Sequence, residues 1–199
     1  MAFATIQYFS RSLQKATALN IVFPDDPDIP RPWAAFYLLH GLSDDHTIWM
    51  RRTSIERYVA GLPLVVVMPD GGRGWYTNAV EGYKYEDDLI QDVVGLIDWT
   101  FPVKAERGGR AISGLSMGGY GAVKLGLKHP EMFASVNSHS GAVGHLRDPE
   151  RARQRSPEFA RIFGENPKGG PEDPFAIVDQ EVGGGGGGRA GGGGGGGGG

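Results

Sequence analysis

The chain has 199 residues, a formal net charge of −3 and no cysteine. A negative net charge argues against nucleic acid or an anionic membrane as a partner, because both attract a basic protein surface. The lack of cysteine excludes a disulfide framework, a thiolate nucleophile and a zinc–thiolate site.

The start of the chain carries no targeting signal that we can identify. Residues 1–24 lack the basic start, the apolar run and the small-residue cleavage site of a secretory signal peptide. No window approaches the roughly 18 apolar residues of a membrane-spanning helix. We therefore expect a cytoplasmic protein without a membrane partner, and its oligomeric state stays open.

The end of the chain is almost pure glycine. After Val182 the sequence reads GGGGGGRAGGGGGGGGG, in which Ala190 is the only apolar side chain. Such a segment cannot offset the entropy of ordering its own backbone. We predict one folded domain over residues 1–182 and a low-complexity tail, disordered or artefactual, over residues 183–199.

The predicted strands begin with an antiparallel edge pair, because residues 5–24 show a loose alternation of apolar and polar side chains. Three apolar runs closed by turn residues follow, and a fourth run is less apolar. Such runs are typical of strands buried on both faces of a parallel sheet. They are AAFYLLHG at 34–41, LPLVVVMPDGG at 62–72, RAISGLS at 110–116 and FASVNSHSG at 133–141.

Two helices are predicted between these strands. Residues 85–102 place apolar side chains on one wide stripe, and three acidic residues at the start suit a helix N-terminus. Residues 117–130 form the second helix, which ends at His129 before Pro130. Strands that alternate with helices predict right-handed crossovers and a mostly parallel, doubly wound α/β sheet.

A serine nucleophile is predicted at Ser116, within the sequence GLSMG. Gly114 and Gly118 complete the G-x-S-x-G pattern, in which the serine occupies a strained turn that larger neighbours would obstruct. An apolar strand precedes the motif and a helix follows it, as the motif requires. The alternative is a serine in an ordinary tight turn between strand and helix.

Acyl transfer also needs two backbone N–H groups aimed at the oxyanion of the tetrahedral intermediate. We predict that Met117 supplies one of them at the positive end of its helix. Leu42, in the loop LLHGLSDDHTIW, is predicted to supply the other, because Gly41 frees the backbone to approach.

Three motifs in order carry a resemblance to one family. The stretches YLLHGLSDDHTIW, VVVMPDGGRGWYTN and GLSMGGYGAVKLGLKHPEMF resemble the putative-esterase family of α/β-hydrolases, which includes S-formylglutathione hydrolases, tributyrin esterases and mycolyltransferases. The tributyrin-esterase-like branch is nearest, on WMRRTSIERYV and GWYTNAVEGYKYEDDL. The resemblance covers roughly residues 5–181. It implies an α/β-hydrolase fold and hydrolysis of short-chain acyl esters, with Ser116 as nucleophile and Leu42 and Met117 as oxyanion donors. It does not separate ester hydrolysis from thioester hydrolysis of the S-formylglutathione type.

The sequence departs from this family after its sixth strand. The family carries its catalytic aspartate and histidine there, at the ends of two further strands, and here the glycine run begins instead. We therefore expect the C-terminal strands and both residues to be missing. A catalytically incompetent, truncated hydrolase-like domain is the alternative from another functional class.

Local substitutes for the missing base and acid are weak candidates. His129 is expected to cap a helix, His139 to approach the site from the end of a strand, and His145 to lie in a loop beyond it. The available carboxylates have no recognisable context; they are Asp148, Asp173 and Asp179.

Each of the remaining motifs has a functional and a structural interpretation. Trp75 and Tyr76, in GWYTN, either face the substrate, as His139 would, or pack within their loop. The cluster of His40, Asp44, Asp45 and His46 lacks metal-ligand spacing, so neither a metal nor another cofactor is predicted. The arginine-rich residues 145–161 are expected to form a solvated helix in an insertion that caps the site.

Overall fold

A computed structural model describes residues 1–184 of the chain. The predicted tail, residues 183–199, lies outside the described residues apart from its first two glycines, which end the last helix. The described part contains a six-stranded sheet with the order β1-β2-β4-β3-β5-β6. The strands are β1 (Ala2–Ser10), β2 (Lys15–Phe23), β3 (Ala34–Leu39), β4 (Leu64–Pro69), β5 (Arg110–Leu115) and β6 (Ser135–His139).

The strand pairing matches the sequence expectation. β1 and β2 form the predicted antiparallel hairpin, and β2 pairs antiparallel with β4. β3 is parallel to both β4 and β5, and β6 is parallel to β5. The run at 65–67 is fully buried on both faces of the sheet, which is why its sequence shows no alternation.

The last strand, β6, forms one edge of the described sheet, and β1 forms the other. All five residues of β6 are exposed, whereas the central strands are almost entirely buried. An uncovered strand presents unpaired backbone groups and pairs readily with other chains. Among the described residues, no strand pairs with the outer edge of β6.

The helices flank the sheet on both faces. They are α1 (Ile48–Arg52), α2 (Ile55–Tyr58), α3 (Tyr85–Asp87), α4 (Val94–Thr100), α5 (Met117–Lys128), α6 (Pro149–Arg155), α7 (Phe159–Phe163) and α8 (Pro174–Gly184). One core lies beneath α4 and α5, and a smaller one lies beneath α1 and α2. Within the described residues, no helix combines the length and the apolar character needed to cross a membrane.

The predicted helix at 85–102 is present but not regular. A π-helical segment, Asp88–Val93, joins α3 to α4. The Tyr8 hydroxyl donates to Asp88 Oδ1 at 3.1 Å, and the Ser10 hydroxyl donates to Asp92 Oδ2 at 2.9 Å. Side chains of the first strand therefore hold the widened turn, and Asp88 is buried rather than facing solvent at the helix start.

The arginine-rich segment does not form one solvated helix, so that expectation is wrong. The chain forms a 3-10 turn at His145–Arg147, then α6, a bend at Ser156, and α7. Phe159, Ile162 and Phe163 are buried. Their contacts with the main core break the segment, because one straight helix would leave these apolar side chains in water.

Candidate active site

Ser116 occupies a strained turn between β5 and α5. Its backbone has φ 54° and ψ −109°, a region that residues with a side chain rarely adopt. Its N–H donates to the His139 carbonyl at 2.9 Å. Its own carbonyl accepts the N–H groups of Tyr120 at 3.0 Å and Ala142 at 3.1 Å. Three backbone hydrogen bonds thus hold the unfavourable conformation.

The two glycines of the motif permit close backbone contact, as the sequence predicts. A Cβ atom at Gly118 would lie 2.5 Å from the Leu39 carbonyl oxygen and 2.6 Å from that of His40. A Cβ atom at Gly114 would overlap the backbone of Gly118. The start of α5 therefore rests directly on β5 and on the loop that follows β3.

The three residues predicted to share the chemistry come together at the carboxyl edge of the sheet. Met117 is the first residue of α5, where N–H groups have no partner inside the helix. A Cβ atom at Gly41 would lie 3.9 Å from Ser116 Cβ, so the loop that carries Leu42 touches the serine. Within residues 1–184, neither Ser116 Oγ nor the Leu42 N–H makes a hydrogen bond to another protein group.

His40 is fully buried beneath this loop. Its Nδ1 lies 2.8 Å from the Gly41 carbonyl oxygen, and its Nε2 accepts the N–H of Gly71 at 2.9 Å. The hydroxyl of Tyr76 donates to the His40 carbonyl oxygen at 3.1 Å. His40 therefore belongs to a hydrogen-bonded assembly beside the serine. Among the described residues, no three histidine or acidic side chains gather into a metal site.

Trp75 and Tyr76 are both buried, and both have a positive φ. The Trp75 ring stacks on His145, with centroids 4.1 Å apart and planes inclined by 14°. Tyr76 lies under the His40 loop, where burial raises the pKa of its hydroxyl. Loop packing accounts for both side chains here, and substrate contact by either stays a prediction.

His145 lies in an aromatic cluster formed with Trp75, Tyr120, Phe159 and Phe163. Its Nδ1 lies 2.8 Å from the Ala142 carbonyl oxygen. Burial lowers the pKa of the ring to about 4, so the imidazole is neutral at physiological pH. The ring packs the 145–163 segment against the loop of Trp75, and its hydrogen bond is to Ala142 rather than to Ser116.

The other candidate histidines occupy different positions. His139 contributes its carbonyl to the Ser116 N–H, while its exposed ring lines an apolar recess with Trp49 and Leu115. No hydrogen bond joins that ring to Ser116 within the described residues. His129 caps α5, as predicted, through its N–H to the Leu125 carbonyl at 2.9 Å.

The candidate carboxylates serve local structure or lie away from the serine. The Asp148 side chain caps α6 by accepting the Arg151 N–H. Asp173 is buried and accepts the N–H groups of Gly169 and Phe175. Asp179 lies on α8, beside an apolar groove. None of the three contacts Ser116 or a histidine next to it in the described structure.

Sequence reasoning missed a buried charge network behind the site. Lys124 is fully buried on α5, and its Nζ lies 2.6 Å from Glu86 and 2.8 Å from Glu172. The same ammonium donates to the Tyr76 carbonyl at 2.7 Å and to Thr77 Oγ1 at 3.0 Å. The available signal was a lysine among small and apolar residues in MGGYGAVKLGLK. This network ties α5 to the loop that carries Trp75 and Tyr76.

Comparisons with known proteins agree with this geometry. A family model described as "Putative esterase" matches residues 10–172. Esterase Rv1288 of Mycobacterium tuberculosis is 39% identical over 140 residues, which cover 65% of this chain and 30% of that protein. An acetyl esterase of Caldicellulosiruptor saccharolyticus is 27% identical over 180 residues, covering 83% of this chain and 68% of that one. The chain therefore spans less than a third of the mycobacterial relative.

Solved structures show the same architecture. FphF, a fluorophosphonate-binding serine hydrolase of Staphylococcus aureus, matches with a TM-score of 0.82 and 31% identity, covering 92% of this chain and 74% of that one. An S-formylglutathione hydrolase of the same organism matches with a TM-score of 0.79 and 30% identity, over the same shares of the two chains. The predicted α/β-hydrolase fold is confirmed by these likenesses. The family model matches residues 10–172, which are most of the described residues. The chain therefore belongs to the "Putative esterase" family of α/β-hydrolases.

Proposed function

We propose that the chain is a serine carboxylesterase that hydrolyses short-chain acyl esters of small molecules through an acyl-enzyme on Ser116. One observation carries the proposal: Ser116 is held in a strained turn between the start of α5 and the Leu42 loop, and its hydroxyl makes no hydrogen bond within residues 1–184. A strained serine at the start of a helix is the arrangement that exposes a nucleophile. Membership of an esterase family supports the same chemistry.

The reaction would proceed in two steps. Ser116 Oγ attacks the ester carbonyl carbon, and the carbonyl oxygen becomes an oxyanion that accepts hydrogen bonds from the N–H groups of Leu42 and Met117. Collapse of this intermediate breaks the bond to the alcohol and leaves the acyl group on Ser116. Water then attacks the acyl-enzyme through the same intermediate geometry, releases the carboxylic acid and restores the hydroxyl.

Proton transfer is the weak part of this site. The Ser116 proton must pass to a base and then to the departing alcohol. Within residues 1–184, no imidazole makes a hydrogen bond with Ser116 Oγ. Loss of a triad member typically costs on the order of 10⁴ to 10⁶ in rate. We therefore expect this chain to be slow with esters of poor leaving groups.

Thioester hydrolysis of the S-formylglutathione type is the second candidate. Its support is the likeness to the S. aureus S-formylglutathione hydrolase, at 30% identity. A thiol is far more acidic than an alcohol, so a thiolate leaves without first receiving a proton. A site that lacks a strong proton donor would accordingly favour thioesters over alkyl esters.

The test is hydrolysis of p-nitrophenyl acetate and p-nitrophenyl butyrate, with an S-acyl thioester alongside, by the wild-type chain and Ser116→Ala. Ser113→Ala is the matched control, because Ser113 is buried on β5 and its hydroxyl has no hydrogen-bond partner among the described residues. Loss of turnover in Ser116→Ala alone would support the nucleophile. Hydrolysis that survives this substitution would refute it, and no hydrolysis by any chain would favour the incompetent, truncated domain.

A further inference from the structure

The His40 side chain and the loop after β3 lie where the candidate oxyanion hole has to be built. The Gly41 carbonyl carbon and the Leu42 nitrogen share one peptide group, which is not among the cis bonds of this chain. In a trans peptide the C=O and the N–H point in opposite directions. Whatever holds the Gly41 carbonyl therefore also aims the Leu42 N–H.

Two groups hold this carbonyl: the His40 ring at 2.8 Å, which is the nearer, and the Asp44 N–H at 3.2 Å. A carbonyl oxygen can only accept, so the 2.8 Å contact with Nδ1 requires a proton on Nδ1. The Gly71 N–H donates to Nε2 at 2.9 Å, which requires a lone pair there. Both contacts select the same neutral tautomer. The Asp70 carboxylate lies 3.5 Å from Nε2 and accepts the Gly72 N–H at 2.8 Å instead.

We propose that His40 is a positioning residue that turns the Leu42 N–H toward the oxyanion formed at Ser116, and that Tyr76 supports it. The proposal rests on the esterase function proposed above. The Gly41 carbonyl faces the buried His40 ring, so the Leu42 N–H of the same trans peptide points the opposite way. Gly41 lies against Ser116, and the N–H therefore emerges beside the nucleophile.

Tyr76 completes the arrangement from below. Its hydroxyl donates to the His40 carbonyl oxygen, which fixes the peptide group that precedes Gly41. Its own carbonyl accepts from Lys124 Nζ at 2.7 Å, and Lys124 lies on α5. Helix α5 begins at Met117, which carries the other predicted N–H donor. Helix α5 therefore positions both predicted N–H donors. It carries Met117 itself, and it reaches Leu42 through the hydrogen bonds of Lys124, Tyr76 and His40.

Two substitutions at His40 separate its two hydrogen bonds. His40→Asn keeps a donor near the position of Nδ1 and loses the acceptor at Nε2, whereas His40→Gln keeps an acceptor near Nε2 and loses the donor to Gly41. Both remove the buried ring, and Asn, which is one methylene shorter, leaves the larger void, so a purely structural role would weaken His40→Asn at least as much as His40→Gln. Tyr76→Phe removes only the hydroxyl that supports the loop.

The assay is hydrolysis of p-nitrophenyl acetate by the full chain, with kcat and KM measured separately and circular dichroism confirming the fold. Removing one oxyanion donor costs about 10² to 10³ in kcat, and a donor that is misdirected rather than removed should cost about 10- to 100-fold. We expect that loss in His40→Gln with KM within about twofold, and smaller losses of kcat in His40→Asn and Tyr76→Phe. Equal losses in the Asn and Gln variants, or a change in KM alone, would overturn the proposal.

A second measurement does not depend on turnover. The ¹⁵N resonances of the His40 ring in the wild-type chain should show a protonated Nδ1 and an unprotonated Nε2. A ring protonated on Nε2 would overturn the positioning role, because it could not hold the Gly41 carbonyl. Hydrolysis that is indifferent to Ser116→Ala would refute the esterase function and the positioning role with it, whereas a ring protonated on Nε2 beside Ser116-dependent hydrolysis would overturn the positioning role alone.

Discussion

The wild-type chain should lose stability in acid because the His145 ring is largely buried. The substitution His145→Phe should abolish this pH-dependent loss. The ring stacks on Trp75 at 4.1 Å and meets the edges of Tyr120 and Phe163. Its Nε2 is buried without a hydrogen-bond partner in the described residues. A proton added there would place a charge among aromatic rings, and burial accordingly lowers the pKa of His145 from 6.5 to about 4.

The size of the effect follows from these two pKa values. Between them the unfolded chain binds a proton that the folded chain does not, so stability falls as the pH drops from 6.5 toward 4. At about 1.4 kcal/mol for each pH unit, the loss reaches about 2 kcal/mol by pH 5 and about 3 kcal/mol by pH 4. Below pH 4 both states are protonated and the loss stops growing.

The measurement is urea unfolding at about pH 7, 6, 5 and 4 for the wild type and His145→Phe. Subtracting one free energy of unfolding from the other cancels the remaining titratable groups, and phenylalanine preserves a flat ring against Trp75. The difference should shift in favour of the variant by about 3 kcal/mol between pH 7 and pH 4. Phe163→Leu, in the same cluster, should lower stability by an amount independent of pH. A pH-independent difference for His145→Phe would refute the buried, neutral imidazole.

Two further substitutions test the buried charges. Lys124→Met should lower the free energy of unfolding by up to about 3 kcal/mol, because the buried Glu86 and the half-buried Glu172 would then share only the Lys128 ammonium. Adding Glu86→Gln should restore part of that loss in urea melts, and an additive double variant would contradict the network. Burial raises the pKa of Asp88 to about 6, so its acid form stabilises the fold at low pH and that gain is lost as the pH rises through 6. Asp88→Asn should therefore gain about 2 kcal/mol on the wild type between pH 4 and pH 7, and an unchanged difference would place Asp88 in solvent.

The parallel core of this fold was predictable because local sequence decides it. The run VVV at 65–67 contains no polar residue that could face solvent, so it suits only a strand that is buried on both faces. The pattern GLSMG likewise predicts the turn at Ser116, because the two glycines permit backbone contacts that any Cβ atom would block. These features depend on neighbours within a few residues.

The features that sequence reasoning missed depend on distant partners. The π-helical segment rests on hydrogen bonds from Tyr8 and Ser10 to residues about 80 positions later. The burial of Lys124 needs Glu86 and Glu172, which lie 38 and 48 positions away on either side. The bend at Ser156 reflects aromatic packing onto Trp75. A local sequence pattern does not indicate which charged or aromatic residues will be in contact in the folded chain.

The candidate site has two separable parts, the groups that stabilise the transition state and the groups that transfer protons. Ser116, the Met117 N–H and the Leu42 loop are held by β3, β5, α5 and the residues that brace them, all within the described chain. Removing a triad member from a serine hydrolase still leaves about 10³- to 10⁴-fold catalysis over water, from the oxyanion hole and binding alone. Transition-state stabilisation can therefore persist where proton transfer is weak. We therefore expect p-nitrophenyl esters and thioesters, whose leaving groups depart without a proton, to report on the proposed oxyanion hole, whereas hydrolysis of alkyl esters also requires a base for proton transfer.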